Sequence, residues 1–433
     1  MTPNPQIVKS IEKLDYRVTV GDVAAQAGLE LNFAQQGLLA LASEAGGHLQ
    51  VAESGDVVYL FPKNFRSILR NKYWQLRWQQ TWSKIWRVLF YIIRISFGIV
   101  LIASILLMLV AIIAIFIAMN SANNERESNS RGYGGGYGGG LFVPRFWIGD
   151  IFWWFDPGYN RRRRQRRRQA PGSYQMNFLE SVFSFLFGDG NPNADLAEYR
   201  WQAIGEVIRR NKGAVAGEQI APYVDEMDEN EDYMLPVLSR FNGYPEVSPQ
   251  GDIVYYFPEL QVMASRRQQE SFSTTGYLQE QPWRFSQANG GQITLAAGLG
   301  ALNIILAFVL ETLLRDSAIA TELGGIVAFA DSISWFLLGY GVLYLLIPLV
   351  RYFWIQGRNP KIIKRNQARE QRAIALNQPS QSLRQKLSYA SQFAQQKVIS
   401  DGDLAYTTED DLLEQNIRNA DKIDREWERR IEG

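Results

Sequence analysis

Few residue types in this 433-residue chain could carry out chemistry, and their spacing narrows the choice further. There is no cysteine and one histidine, His48, in a loop position just before a β-rich run. Without sulfur, thiolate-bound zinc, iron–sulfur clusters held by this chain, disulfides and cysteine nucleophiles are excluded. Asp189, Asn191, Asn193 and Asp195 alternate in "DGNPNAD", as the first half of a calcium loop does. The second half fails: Ala194 stands where the turn glycine is needed, and Arg200 where a bidentate glutamate would close the shell. A polar turn leading into a helix is what remains. The densest carboxylates are Asp228, Glu229, Glu231 and Asp232 in "DENEDYMLPVL". Grouped acids without zinc ligands attract basic side chains, so these four are the candidate protein-binding surface. No nucleophile–base pair, phosphate loop or acid–base pair is evident, and the chain reads as a non-enzyme with no cofactor and no metal.

The elements that position these residues come in two copies. "GDVVYLFP" (55–62) and "GDIVYYFP" (251–258) end a longer repeat. At a constant offset, Ile7 pairs with Ile204, Ile11 with Ile208, Val18 with Val215, Val23 with Ile220, Ala24 with Ala221, Leu38 with Leu235 and Leu41 with Leu238. One residue is then lost, and Val51 meets Val247. Apolar steps of three and four followed by alternation predict helix, short helix, helix and hairpin in each copy. That order is the winged-helix arrangement, with Val57, Tyr59 and Phe61, or Ile253, Tyr255 and Phe257, closing the core. An unrelated α+β module with the same order is the alternative.

Three stretches are too apolar for a soluble core: Ile95–Met119, Ile293–Leu314 and Ile326–Val350. Each reaches the roughly 20 residues that cross a hydrocarbon layer. The expected fold is therefore α+β, two winged-helix-like modules combined with about three transmembrane helices. Its parts are module 1 (1–63), a basic Trp-rich interfacial helix (64–94), transmembrane helix 1 (95–119), and a Gly-rich tether with an aromatic stretch and an Arg block (120–176). Module 2 (177–262), transmembrane helices 2 (293–314) and 3 (326–350) and a polar helical tail (351–433) follow. A capping pair at Thr408 and Asp411 predicts a terminal helix from about Glu409. The near-zero net charge hides segregation. Eight basic residues lie between Lys63 and Arg94, "RRRRQRRR" spans 161–168, and Arg351, Arg358, Lys361, Lys364 and Arg365 follow the last span. Membrane lipids are the expected partners of these basic flanks.

Winged helices commonly bind DNA through basic side chains. Here Val18–Pro62 holds no Lys or Arg, and Gly213–Pro258 holds only Arg240 against nine carboxylates. No nucleic acid is expected, and proteins are. A membrane-tethered transcriptional regulator is the alternative, and a transporter is disfavoured by too few spans. Two modules on flexible attachments would gather several partners by effective concentration.

"ESVFSFLFGDGNPNADLAEYRW", "FNGYPEVSPQGDIVYYFPEL" and "DLAYTTEDDLLEQ" resemble a membrane protein family shared by cyanobacteria and plastids, whose plant members often carry the label iron–sulfur cluster biosynthesis protein. The likeness runs from about Asn177 onward, and more loosely over the first repeat. It implies a thylakoid protein linked to photosystem I accumulation rather than to a reaction, with photosystem subunits or other assembly factors as partners. The missing transit segment implies a cyanobacterial member, with module 2 and the tail on the cytoplasmic side. The iron–sulfur label finds no support in a cysteine-free chain, and no site residues carry over.

Overall fold

Asn4 starts the first helix: its side chain accepts the Gln6 N–H at 2.8 Å, and Pro5 sits where a helix needs no donor. That helix, α1 (Pro5–Lys13), leads to β1 (Arg17–Thr19), α2 (Val20–Ala27), α3 (Leu31–Ala45) and a hairpin of β2 (His48–Ala52) and β3 (Val57–Leu60). Then come α4 (Phe65–Lys72), α5 (Trp74–Glu127) and the short apolar α6 (Phe178–Phe187). A second series runs α7 (Leu196–Arg210), β4 (Ala214–Ala216), α8 (Gly217–Ile220), α9 (Leu235–Phe241), β5 (Tyr244–Val247) and β6 (Ile253–Tyr256). It is followed by α10 (Pro258–Gln261), β7 (Val262–Met263), α11 (Gly290–Leu313), α12 (Gly325–Ser332) and α13 (Ser334–Asn377). The chain closes with α14 (Gln381–Gln392), β8 (Lys397–Val398) and β9 (Leu404–Thr407). This computed structural model describes residues 4–72, 74–127, 176–228, 230–265, 276–315 and 322–415, together with Ile417, Ala420, Trp427, Glu428 and Ile431. The aromatic stretch 141–155 and the Arg block 161–168 lie outside the described residues.

Mixed helix and sheet divide into two units. The first comprises Met1–Trp86, Asn191–Trp283 and Gln356–Gly433. Within it the two hairpins keep one register: Val18 and Leu49 face Tyr59, and Val215 and Pro245 face Tyr255. Gly55 (φ +87°) and Gly251 (φ +90°) supply the left-handed backbone at the two turns. Ile7, Ile11, Val18, Val23, Ile204, Ile208, Val215 and Ile220 are all fully buried, as their pairing requires.

The pairing of Leu38 with Leu235 does not hold, because Leu38 is fully buried and Leu235 is 61% exposed. The third helices end at left-handed Gly46 and Asn242, which sets Met234, Val237 and Phe241 opposite Leu38, Leu41 and Ala45, all buried. The lost residue thus precedes the third helix. Met234 beside Leu235 and Val237 beside Leu238 make a one-residue slip invisible to a period of 3.6.

The two series are not independent beads on tethers. Their buried residues form one hydrophobic cluster, with α2 packed on α7. At this joint Asp22 accepts the Thr19 N–H at 2.8 Å and the Ala264 N–H at 3.1 Å, and it pairs with Arg209. Arg240 lies over the Trp201 ring and donates to Gly28 O at 2.6 Å. The end of α13 is sewn on by Arg369, which pairs with Asp225 and with Glu280 (2.8 Å).

The second unit, Arg87–Gly190 and Arg284–Ile355, holds the apolar helices. Helices Lys84–Ser121, Gly290–Leu313 and Ser334–Asn377 are long and apolar enough to cross a membrane. The expected interfacial helix begins as α4, and from Trp74 onward it and the expected first span are one helix of 54 residues. The expected third span breaks at Ile333, and its second part runs on to Asn377. Glycine notches fit α11 to α13 reciprocally: Gly300 receives the Tyr344 ring and Gly341 receives Asn303. Asn303 Nδ2 also donates to Ser104 Oγ at 2.6 Å, a polar tie to α5. Arg351 donates to the carbonyls of Ser184, Phe185 and Leu186, which closes the open C-terminus of α6.

Candidate functional site

The acidic segment splits into an inward and an outward set. Glu231 takes the left-handed conformation at φ +56°, a cost of about 1–3 kcal/mol for a non-glycine residue. The turn aims its carboxylate inward, where Tyr255 Oη donates to Oε2 at 2.9 Å and Lys386 Nζ to Oε1 at 2.6 Å. Lys386, from α14, also donates to Glu218 at 3.0 Å. Burial pulls the lysine pKa down, but its hydrogen bonds to Glu231 and Glu218 outweigh that and leave it raised. Burial and the bond to Glu231 push the Tyr255 hydroxyl well above the ordinary phenol range. Asp228 accepts the Asp232 N–H at 2.9 Å, which fixes the turn into the helix. Asp228 and Asp232 are exposed beside Met227 and Leu235 (48% and 61%), and Glu229 lies outside the described residues. Of the four candidate residues, two therefore face outward and one binds the chain's own tail.

That tail threads both series. On the second, α14 packs against β4 and β6, with Phe393 stacked on Tyr256 at 5.7 Å. Next β8 pairs in parallel with β7, through Val262 with Lys397 and Met263 with Val398. Finally β9 joins the free edge of β2, giving the sheet order β1-β3-β2-β9. Thr408 N donates to Leu49 O at 2.9 Å, and Leu49 N donates to Thr408 Oγ1 at 2.8 Å. His48 opens β2 rather than a loop, with Nδ1 3.3 Å from Thr408 O. The terminal helix begins at Leu412, three residues after the expected start at Glu409, and Gln415 turns back to accept the Thr407 N–H at 3.0 Å.

Two residues of the calcium-like string bond to neighbouring parts of the chain. Asp189 accepts from Ser184 Oγ (2.6 Å), Gln287 N (2.8 Å) and Arg94 (3.3 Å), and Asn193 exchanges hydrogen bonds with the Gln281 backbone. The basic flank after the last span is similarly divided. Arg365 grips Glu280 at 2.6 and 2.8 Å, whereas Lys361 and Lys364 are exposed.

The fold and these surfaces define a class: a mixed helix-and-sheet body joined in one chain to three helices that could span a membrane. The sequence is 38% identical over 437 aligned residues, 98% of this chain and 81% of the relative, to a protein of Arabidopsis thaliana described as "Uncharacterized protein At5g03900, chloroplastic". The chain belongs to the family of that plastid protein. The description names a compartment and no activity; with the three apolar helices it is compatible with a plastid membrane protein. No family model matches the chain, and no solved structure matches it.

Proposed function

We propose that this protein is a non-enzymatic scaffold or assembly factor of a thylakoid or inner membrane, which assists accumulation of photosystem I by holding its subunits or other assembly factors. Each series is read as a winged-helix module turned to protein binding. The observation that carries this reading is the outward pair Asp228 and Asp232, which has no ion-pair partner among the described residues and flanks exposed Met227 and Leu235. Such a surface favours basic extensions of incoming subunits, and salt would screen it. Lys361 and Lys364 remain for anionic lipid headgroups.

Deleting the gene and measuring both photosystems per cell is the test. Photosystem I is expected to fall while photosystem II persists. Unchanged photosystem I would sink the proposal, and equal loss of both would point to a general insertion role. Asp228→Lys with Asp232→Lys should reproduce the deletion in a folded protein, with Glu231 left intact because it holds Lys386.

Both modules and the tail are read as lying on one side, taken as cytoplasmic; the hydrophobic cluster that the two series share supports this reading, since a body with one core cannot lie on both faces of a bilayer. Single cysteines at exposed Ser54 and Gln250, probed with an impermeant maleimide on sided vesicles, should label from one face. Labelling from opposite faces would refute the shared side. The element order also suits a membrane-tethered transcriptional regulator. Sub-micromolar duplex DNA binding that falls steeply with salt would favour that reading.

A further inference from the structure

We propose that the outer edge of β2 is a strand-acceptor site, occupied in cis by β9, from which an extended segment of a partner protein displaces it. A free sheet edge is a template for strand addition, with main-chain bonds giving affinity. The structure shows the occupant that fits: Gln50 pairs with Thr407 and Val51 with Tyr406, and Glu53 N donates to Asp403 O at 2.9 Å.

The hold is shallow. The register shifts after Val51, only four residues form the strand, and Tyr406 is 40% exposed. Leu404 packs against the cluster of Ala52, Val58, Ala264 and Ile399. The nearby Lys397–Asp56 pair (2.9 Å) has side chains 45% and 31% exposed, where ion pairs contribute little. By contrast α14 is fixed through Lys386, so β9 can leave while the rest of the tail stays docked. A short linker then holds β9 at millimolar effective concentration, which keeps the edge closed until a competitor arrives.

The second hairpin shows that an open edge is a choice. The residue at the register position of Leu49 is Pro245, which has no N–H to donate. Its strand, β5, has no outer neighbour among the described residues. The partner segment is thus an extended strand that places an apolar side chain at the Leu404 position and a Ser or Thr hydroxyl at the Thr408 position.

The scaffold reading explains why such exchange would be useful, but the test is independent of it. The probe is a fluorescein-labelled peptide of residues 402–411, added to the full-length protein in detergent and followed by polarisation. Thr408→Pro removes both the N–H and the hydroxyl that reach Leu49, so it should bind the peptide at least tenfold more tightly than wild type. Adding Leu49→Pro, the residue the other hairpin tolerates at that register, should return binding to the wild-type level. Hydrogen exchange on β1 and β3 checks that each variant keeps its hairpin, and truncation after Ile399 replaces Thr408→Pro if it does not. Peptide binding no tighter than wild type, or binding that survives Leu49→Pro, overturns the site. A wild-type dimer that loses its partner on Thr408→Pro would assign the edge to a second copy and overturn the partner.

Discussion

The two series share a strand register and differ in how the C-terminal tail meets them. The first has a 15-residue third helix and an open hairpin edge, and it takes a strand from the tail. The second has a 7-residue third helix and Pro245 on its edge, and it takes a helix on the β4–β6 face instead. The core positions match between the two series, and their surfaces differ. The local caps differ too: Thr19 and Asp22 form a reciprocal box before α2, where Ala216 and Gln219 offer one side-chain bond of 2.9 Å. In the first series the cap became the joint, because Asp22 also reaches Arg209 and Ala264.

The largest way to break this comparison is at Asp22. Asp22→Ala leaves Arg209 buried without its partner and should destabilise the first unit by about 3–5 kcal/mol. Gln219→Ala, the matching position, should cost about 1 kcal/mol. Denaturant unfolding of the detergent-solubilised protein measures both, and similar losses would deny that the joint is special. Burial raises the Asp22 pKa, but Arg209 and the Thr19 and Ala264 N–H groups outweigh it, so the folded value lies below the usual 3.8. Its contribution should be complete above that value and lost as pH falls through the depressed one. Asp22→Asn should flatten that acid limb.

Next in size is the tail anchor on the second series. Lys386→Met leaves Glu218 and Glu231 facing each other and should cost about 2–3 kcal/mol. Hydrogen exchange should rise across α14 and stay unchanged in α1 and α2. Protection retained in α14 would show that Phe393 on Tyr256, rather than the lysine, holds the helix.

The smallest stability effect tests the edges. Pro245→Leu restores the N–H that the first hairpin has, and it should change stability by less than about 1 kcal/mol. It should nevertheless create a second acceptor edge, seen as concentration-dependent self-association by light scattering. A monodisperse variant would mean that something other than Pro245 protects that edge.

What the sequence showed, and what it hid, follows from the range of the forces involved. The hairpins and the three apolar stretches are legible because periodicity and hydropathy are local. Nothing local marks Asp22 as the joint, because its partner Arg209 stands 187 residues away. Glu231 looked like its acidic neighbours, and only its left-handed backbone distinguishes it. Lys386 is one cation in a polar tail, and "LAYT" is too short to read as a strand. The slip before the third helix was hidden by adjacent apolar pairs.

The strand that completes the first sheet has a consequence for synthesis. β9 is made about 340 residues after β3, so at a typical 5–20 residues per second the ribosome delivers it roughly 20–70 s later. Throughout that interval the nascent first hairpin presents a bare edge while the apolar helices are still being made. The growing chain therefore passes through a stage in which its own last strand is missing, and any factor that shields nascent edges would find its substrate there.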